Sequence, residues 1–242
     1  MANLTTLRML EGLSGLLLVD KPAGIAFSSV VKTVKRKFNL VKVGHGGSLD
    51  AAASGLLVLL VNDANAFVGD VMGADRAWEG TMRLGLKTDT HDVHGSPVPG
   101  GDPAKIPSGE AIAAALPEFR GDIFQTESRW CTIRREGAAT YEIADTGDHK
   151  PFMAHVYRFE TRPPAAPDGT LGFSVKGTKG LIVRTLVNDF GDALGCGAAL
   201  ASLRRTAVGR FDVADAVRFD MVLDTDIADF PSLVLPTGRL FA

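Results

Sequence analysis

Cysteine is scarce in this sequence, and long apolar runs are absent from it. Two of its 242 residues are cysteines, Cys131 and Cys196, which excludes a disulfide framework and a four-cysteine metal site. We expect two buried thiols in a reducing cytosol. The longest apolar run, residues 51–61, is interrupted by Ser54 and Gly55 and falls short of the ~20 residues that span a bilayer. Without a signal-peptide layout, the sequence predicts a cytoplasmic protein with no membrane partner.

An excess of charge of one sign is also missing. The formal net charge is -2 and the sequence pI is about 6.2, whereas a dedicated nucleic-acid binder is usually basic overall. A local basic surface can still bind nucleic acid, because only the face that meets the phosphates needs positive charge. The sequence contains no P-loop, Rossmann or G-x-S-x-G signature.

Apolar runs and turn residues predict a mixture of strands and helices. Ser28 or Ser29 is expected to cap the first helix, and Asn62 the second. The alternation of element types predicts an α+β fold with a mixed, largely antiparallel central sheet flanked by helices, in one domain over residues 1–242. The predicted strands cover residues 15–19, 41–44, 56–61, 78–86, 129–133, 155–162, 171–176 and 203–208, and the later helices cover residues 110–116 and 181–194.

The first predicted helix carries basic residues away from its apolar face. Val30, Val34 and Phe38 share the apolar face at helical spacing, and Lys32, Lys35 and Arg36 lie elsewhere around the helix. Such residues usually form a solvated face. An edge that binds phosphates is the alternative.

The segment between residues 44 and 55 is a glycine-rich loop that contains Asp50. Glycines at 44, 46, 47 and 55 allow tight turns and the close approach of a ligand. A carboxylate held near an apolar wall can act as a nucleophile or a general base, and a strongly apolar strand follows Asp50. An aspartate in such a loop is also a common turn residue or helix cap, so the loop alone leaves both interpretations open.

Several short motifs follow one another in order along most of the chain. Gly44-His45-x-Gly47-x-Leu49-Asp50 opens the longest of them, and the others lie in residues 17–22, 83–95, 119–125, 179–186 and 194–208. In this order and composition, from about residue 12 to 210, they resemble the TruB family of RNA pseudouridine synthases. The many ordered matches make the resemblance specific.

The resemblance implies an enzyme that isomerises uridine to pseudouridine in RNA, typically in the T-arm loop of tRNA, as a monomer without cofactor or metal. Asp50 would attack the ribose or assist cleavage of the glycosidic bond, after which the uracil rotates and rejoins through carbon. Arg184 would pair with Asp50, because an adjacent guanidinium keeps a carboxylate ionised. The target base must leave its stack to reach such a site.

The resemblance also assigns residues to substrate binding. Lys21 would support the site, His45 would hold the opened RNA loop, and Leu203 would lie against the flipped base. A basic surface would meet the RNA backbone, and the residues expected on it are Lys32, Lys35, Arg36, Lys42, Arg134, Lys179 and Arg204, with Arg135, Lys176 and Arg205 as further candidates.

The chain departs from the family pattern at the pocket. Trp78 and Ile182 stand where the family has tyrosines, and neither of the chain's two tyrosines lies in either motif. Trp78 can stack on a base, but its N–H only donates and cannot accept a proton, whereas Ile182 can pack against the base without offering a hydroxyl. Ala51 replaces the usual proline after the catalytic aspartate. We also expect no RNA-binding PUA domain.

These departures leave alternatives open. Either the changed residues repack an active site that still works, or catalysis is lost and the chain is an RNA-binding chaperone or assembly factor for tRNA or ribosomal RNA. A relative that shares only the fold and acts in protein assembly is a third hypothesis. His91, Asp92 and His94 could be interpreted as metal ligands, although two histidines in a loop are a weak signal and the family motif accounts for Asp92.

Overall fold

The computed structural model describes residues 10, 12–126, 130–135, 138–143, 151–162 and 168–241, without the side chains of 130–135 and 138–143. Five helices of the described residues are α1 (Phe27–Lys37), α2 (Val68–Gly73), α3 (Gly109–Ala115), α4 (Val183–Ala193) and α5 (Phe219–Asp224). The strands are β1 (Gly15–Lys21), β2 (Val43–His45), β3 (Ser54–Val61), β4 (Arg76–Leu84), β5 (Gly121–Gln125), β6 (Trp130–Arg135), β7 (Ala138–Ile143), β8 (Phe152–Arg162), β9 (Thr170–Gly177), β10 (Ala198–Val208), β11 (Phe211–Asp212) and β12 (Val217–Arg218).

These elements confirm the predicted α+β class with a mixed sheet. The chain divides into two compact units, the first Met1–Arg76 with Arg204–Ala242 and the second Ala77–Leu203. The expectation of one domain over residues 1–242 stays a prediction. None of the helices in the described part of the chain combines the length and the apolar character needed to cross a bilayer.

The first unit is built on β1 and β3, which pair antiparallel from Gly15↔Val61 to Lys21↔Gly55. Strand β12 flanks β1 in parallel, and the end of β10 flanks β3 in parallel at Arg204↔Ser54. Both faces of this sheet are covered: Leu17 and Leu59 pack in the cluster that contains α1, and Leu16 and Leu60 pack in a second cluster. Burial on both faces explains why β1 and β3 are continuous apolar runs.

The second unit contains the antiparallel strands β8 and β9, with β5 on the other side of β8. Phe159 and Phe173 from these strands contact each other edge to face, with ring centroids 6.1 Å apart. Phe190 of α4 packs against Phe159 at 5.2 Å. This aromatic contact seats α4 on the strands and so places its first turn, which carries Arg184.

Both predicted helix caps are wrong. Helix α1 begins after Ala26, and no side chain caps it. Asn62 adopts a left-handed backbone with φ 47°, and its amide donates to the carbonyls of Leu10 and Leu13. It therefore ties the chain before β1 to the end of β3. Asn62 is also the first residue of a 3-10 helix, Asn62–Phe67, which leads into α2.

Candidate active site

Close backbone packing shapes the loop that carries Asp50. Gly47 and Gly55 have φ values of 130° and 105°, a region that side-chain-bearing residues rarely enter. A Cβ atom on Gly55 would lie 2.2 Å from the carbonyl oxygen of Arg205. Glycine is therefore required where β3 meets the end of β10.

Arg205 lies beneath this loop and is 1% exposed. Its Nε donates to the Leu56 carbonyl at 2.7 Å, and its Nη1 donates to the Ser48 carbonyl at 2.8 Å. Its Nη2 donates to the Gly47 carbonyl at 3.3 Å. The prediction that Arg205 lines an RNA groove is wrong, because its guanidinium is buried and binds carbonyls of the loop. It is therefore not exposed to RNA phosphates.

A second arginine, Arg76, contacts the same loop at Gly46, one residue before the Gly47 carbonyl that Arg205 binds. The Nη2 of Arg76 donates to the carbonyl of Gly46 at 3.3 Å and to that of Met72 at 3.1 Å. Its Nη1 donates to the carbonyl of Ala74 at 2.9 Å. The loop is therefore joined to the segment between α2 and β4.

Lys21, at the end of β1, contacts the loop on the other side of Asp50. Its Nζ donates to the carbonyls of Pro22 and Ile25 at 2.8 Å and to that of Ala51 at 3.4 Å. Burial lowers the pKa of Lys21 to about 8, opposed by the charge of Asp50 and assisted by that of Arg205. At neutral pH the ammonium is mostly charged, and the expected role of Lys21 in supporting the site stays a prediction.

Asp50 itself is exposed, and its carbonyl accepts from the backbone N–H of Ala53 at 3.1 Å. Its charge raises the pKa values of both Lys21 and Arg205, against the burial that lowers them. The carboxylate thus stands in the field of two cations whose positions hydrogen bonds fix. This arrangement suits a group that must be reachable by substrate and held in one place.

His45 stands at the start of the loop with one ring nitrogen engaged. Its Nδ1 accepts from the backbone N–H of Gly47 at 3.3 Å, and its ring lies 4.7 Å from that of Phe27. Burial is the main reason that the pKa of His45 is lowered. The imidazole is therefore neutral at pH 7 with its proton on Nε2, the atom left to donate.

In the second unit, Arg184 lies in the first turn of α4. Its Nη1 is 3.7 Å from Oδ2 of Asp92, and both side chains are mostly buried. The other oxygen of Asp92, Oδ1, accepts from the hydroxyl of Thr90 and from the N–H of His94, both at 2.9 Å. Asp92 therefore orients Arg184. Within the described residues, no three His, Cys, Asp or Glu side chains group as metal ligands.

The two departures from the family tyrosines also lie in the second unit. Gln125 clamps the backbone of Ile182, donating to its carbonyl at 3.1 Å and accepting from its N–H at 2.9 Å. Trp78, on β4, is 8% exposed. Leu203, on β10, is half-buried. The pairing of Arg184 with Asp50, and the contacts of these side chains with a base, stay predictions.

The residues expected to contact the RNA backbone differ in how exposed they are. The exposed ones are Lys32, Lys35, Arg36, Lys42 and Lys179. Arg204 is partly exposed and binds both oxygens of Asp20, at 2.9 and 2.8 Å, and the side chain of Arg134 lies outside the described residues. Contact with RNA stays a prediction for all of them.

Sequence reasoning missed the residues that hold the site. Arg205 and Arg76 were not expected beneath the loop. Gln125 entered only as part of a family motif, and Asp92 only as part of a motif or as a possible metal ligand. One available signal was an arginine at position 205 within the apolar strand β10. Another was a glutamine at the end of β5, where a buried amide needs backbone partners.

Comparisons with known proteins identify the family of this chain. The family described as TruB family pseudouridylate synthase (N terminal domain) matches residues 35–183, and that described as tRNA pseudouridylate synthase B C-terminal domain matches residues 184–240. The second match continues past the last motif recognised in the sequence. The protein therefore belongs to the TruB family of pseudouridylate synthases.

Curated relatives carry a consistent name. The chain is 37% identical over 233 residues to tRNA pseudouridine synthase B of Opitutus terrae, covering 93% of each chain. It is 38% identical to tRNA pseudouridine synthase B of Gluconacetobacter diazotrophicus, over 95% of this chain and 76% of that one.

A solved structure shares the fold. A chain of a Cbf5-Nop10-Gar1 complex superposes with a TM-score of 0.72 at 23% identity, over 97% of this chain and 63% of that one. This chain therefore spans less than two thirds of the solved one, and the likeness concerns the fold.

Proposed function

We propose that this protein is an RNA pseudouridine synthase that converts uridine to pseudouridine in the T-arm loop of tRNA, with Asp50 as its catalytic carboxylate. The observation that carries the proposal is the exposed Asp50 on a loop whose carbonyls bind Lys21, Arg76 and Arg205. The relatives named tRNA pseudouridine synthase B support tRNA as the substrate.

The reaction breaks the bond between N1 of uracil and C1′ of ribose and forms a bond between C5 and C1′. The proton on C5 is lost and N1 gains one, so no cofactor or redox partner is required. Asp50 attacks the ribose or assists glycosidic cleavage, and the departing uracil rotates before it rejoins. The family resemblance implies that Arg184 pairs with Asp50 during these steps.

The family resemblance assigns base binding to four further side chains. Trp78 stacks on the flipped base, and Ile182 and Leu203 supply apolar contact. His45 presents Nε2–H to the opened RNA loop, because Nδ1 is already engaged by Gly47. Exposed basic residues on α1, with Lys42 and Lys179, meet the phosphates, and no sequence reading by the protein is needed. We also propose that the protein acts as a monomer in the cytoplasm.

A test of the proposal maps the product on transcribed T-arm RNA. The wild type should form pseudouridine at one position of the loop, and Asp50→Ala should form none. A second RNA with cytidine at the mapped position should yield no product from the wild type. A full yield from Asp50→Ala would refute the assignment of Asp50.

A second candidate function follows from the side chain at position 78. Trp78 is nearly buried and its N–H only donates, so a proton-transfer role that needs an acceptor is unavailable to it. Under this candidate the protein binds tRNA or ribosomal RNA and remodels it without turnover. RNA that is bound tightly and released without pseudouridine, across T-arm and ribosomal fragments, would favour binding over catalysis.

A further inference from the structure

We infer that Arg205 is a positioning residue for the reaction: one buried guanidinium ties both ends of the Asp50 loop together and thereby sets where the carboxylate stands. The inference rests on the proposed function for its kinetic consequence. Its structural basis is independent of that function, because it concerns only contacts within the first unit.

The contacts of Arg205 bracket Asp50 along the chain. Nη1 and Nη2 bind the carbonyls of Ser48 and Gly47, before Asp50, whereas Nε binds that of Leu56, after it. A single planar group thus spans the base of the loop. A lysine could not reproduce this geometry, because an ammonium is a compact point charge without a rigid fork of donors.

The surroundings of Arg205 prevent the loop from relaxing around it. Its backbone is in parallel register with Gly55, and a Cβ atom on Gly55 would lie 2.2 Å from its carbonyl oxygen. Burial and the nearby Arg76 lower the pKa of Arg205, whereas the charge of Asp50 raises it. A buried cation beside Asp50 is thus compensated by loop carbonyls on one side and by the carboxylate's charge on the other.

The positioning role predicts a loss of turnover rather than of binding. A misplacement of about 1 Å in a reacting group can cost about 100-fold in rate. Arg205→Lys should therefore lower kcat by about 100-fold while KM for the RNA stays within about threefold of the wild type. Arg210→Lys is the matched control, since Arg210 is exposed on the turn after β10, and it should leave both constants unchanged.

Hydrogen exchange tests the hold on the loop without any turnover. The N–H of Gly46 binds the Val58 carbonyl at 2.8 Å and that of Ala53 binds the Asp50 carbonyl at 3.1 Å. Both should exchange slowly in the wild type and much faster in Arg205→Lys, while amides of the β1–β3 ladder keep their protection. Arg205→Gln, which keeps two donors without the charge, replaces the lysine variant if that one fails to fold.

The outcomes separate this inference from the proposed function. A lowered kcat together with faster exchange in the loop supports the inference. Wild-type kcat in Arg205→Lys, or a lowered kcat with unchanged loop exchange, overturns it. If the wild type itself makes no pseudouridine, the proposed function fails while the exchange comparison still decides the role of Arg205. Rapid exchange of Gly46 and Ala53 in the wild type would overturn the inference without any variant.

Discussion

The loop that carries Asp50 and the segment that carries Arg184 are held by different kinds of contact. Around Asp50, the side chains of Lys21, Arg76 and Arg205 bind carbonyl oxygens of the loop backbone. Around Arg184, the carboxylate of Asp92 binds the guanidinium of Arg184 itself. Backbone carbonyls are present whatever the residue, whereas the second arrangement depends on the identity of both side chains.

Two of the departures expected from the family pattern lie where side chains bind the backbone. Ala51 replaces a proline, yet Lys21 and the N–H of Gly24 bind its carbonyl, which any residue would supply. Ile182 replaces a tyrosine, yet Gln125 clamps its backbone N–H and carbonyl. Because these contacts bind the backbone, the side chains at both positions can differ without displacing the main chain.

Removal of Arg184 should have the largest effect on the reaction rate, since no backbone group can replace a contact made through side chains. If the proposed function is correct, Arg184→Met should lower the single-turnover rate by about 1,000-fold, because it removes the cation that the proposal pairs with Asp50. RNA affinity should change little. Single-turnover kinetics on T-arm RNA measure the rate, and Arg162→Met provides an exposed control in the same unit. A rate within tenfold of the wild type would disprove the role of Arg184.

The contribution of Lys21 to stability should depend on pH. Because burial lowers its pKa from 10.5 to about 8, the unfolded chain binds more protons than the folded one between those values. The free energy of unfolding should therefore rise with pH in this window, by about 3 kcal/mol in total. Urea titrations of the wild type and Lys21→Met should show their difference shifting in favour of the wild type as pH rises. A difference that is constant from pH 7.5 to 10 would contradict the prediction.

The contacts that hold the site explain how far sequence alone could reach. Strands β1 and β3 were predicted because burial on both faces leaves a continuous apolar run. The role of Arg205 was not, because an arginine is usually exposed and the carbonyls that bury it come together only in the fold. The Asn62 cap failed for a related reason, since its amide binds carbonyls of residues near position 10.

Trp78 tests whether a side chain on a fixed backbone can be exchanged for the family residue. Trp78→Tyr should turn over about tenfold faster than Trp78→Phe, since only the tyrosine offers a hydroxyl that can accept and donate a proton. Both variants lose the same part of the indole, so their stabilities should match. Equal rates would show that a hydroxyl at position 78 contributes nothing in this protein.

The smallest effect is expected on α1, whose basic residues Lys32, Lys35 and Arg36 are exposed. Lys35→Gln should weaken RNA binding by about two- to fivefold and lower the salt dependence of affinity by about one counterion. The chemical step for bound RNA should be unaffected. Affinity measured from low to moderate salt decides this, with exposed Lys105→Gln as control. An unchanged salt dependence would place Lys35 on a merely solvated face.

We propose that Asp50 performs the chemistry on a loop that other residues hold in place. Asp50→Asn keeps the size of the side chain and removes its charge, so it separates chemistry from shape. We predict that the variant binds T-arm RNA with a Kd within about threefold of the wild type and forms pseudouridine at least about 1,000-fold more slowly in a single turnover. A rate within tenfold of the wild type, with binding intact, would contradict the account.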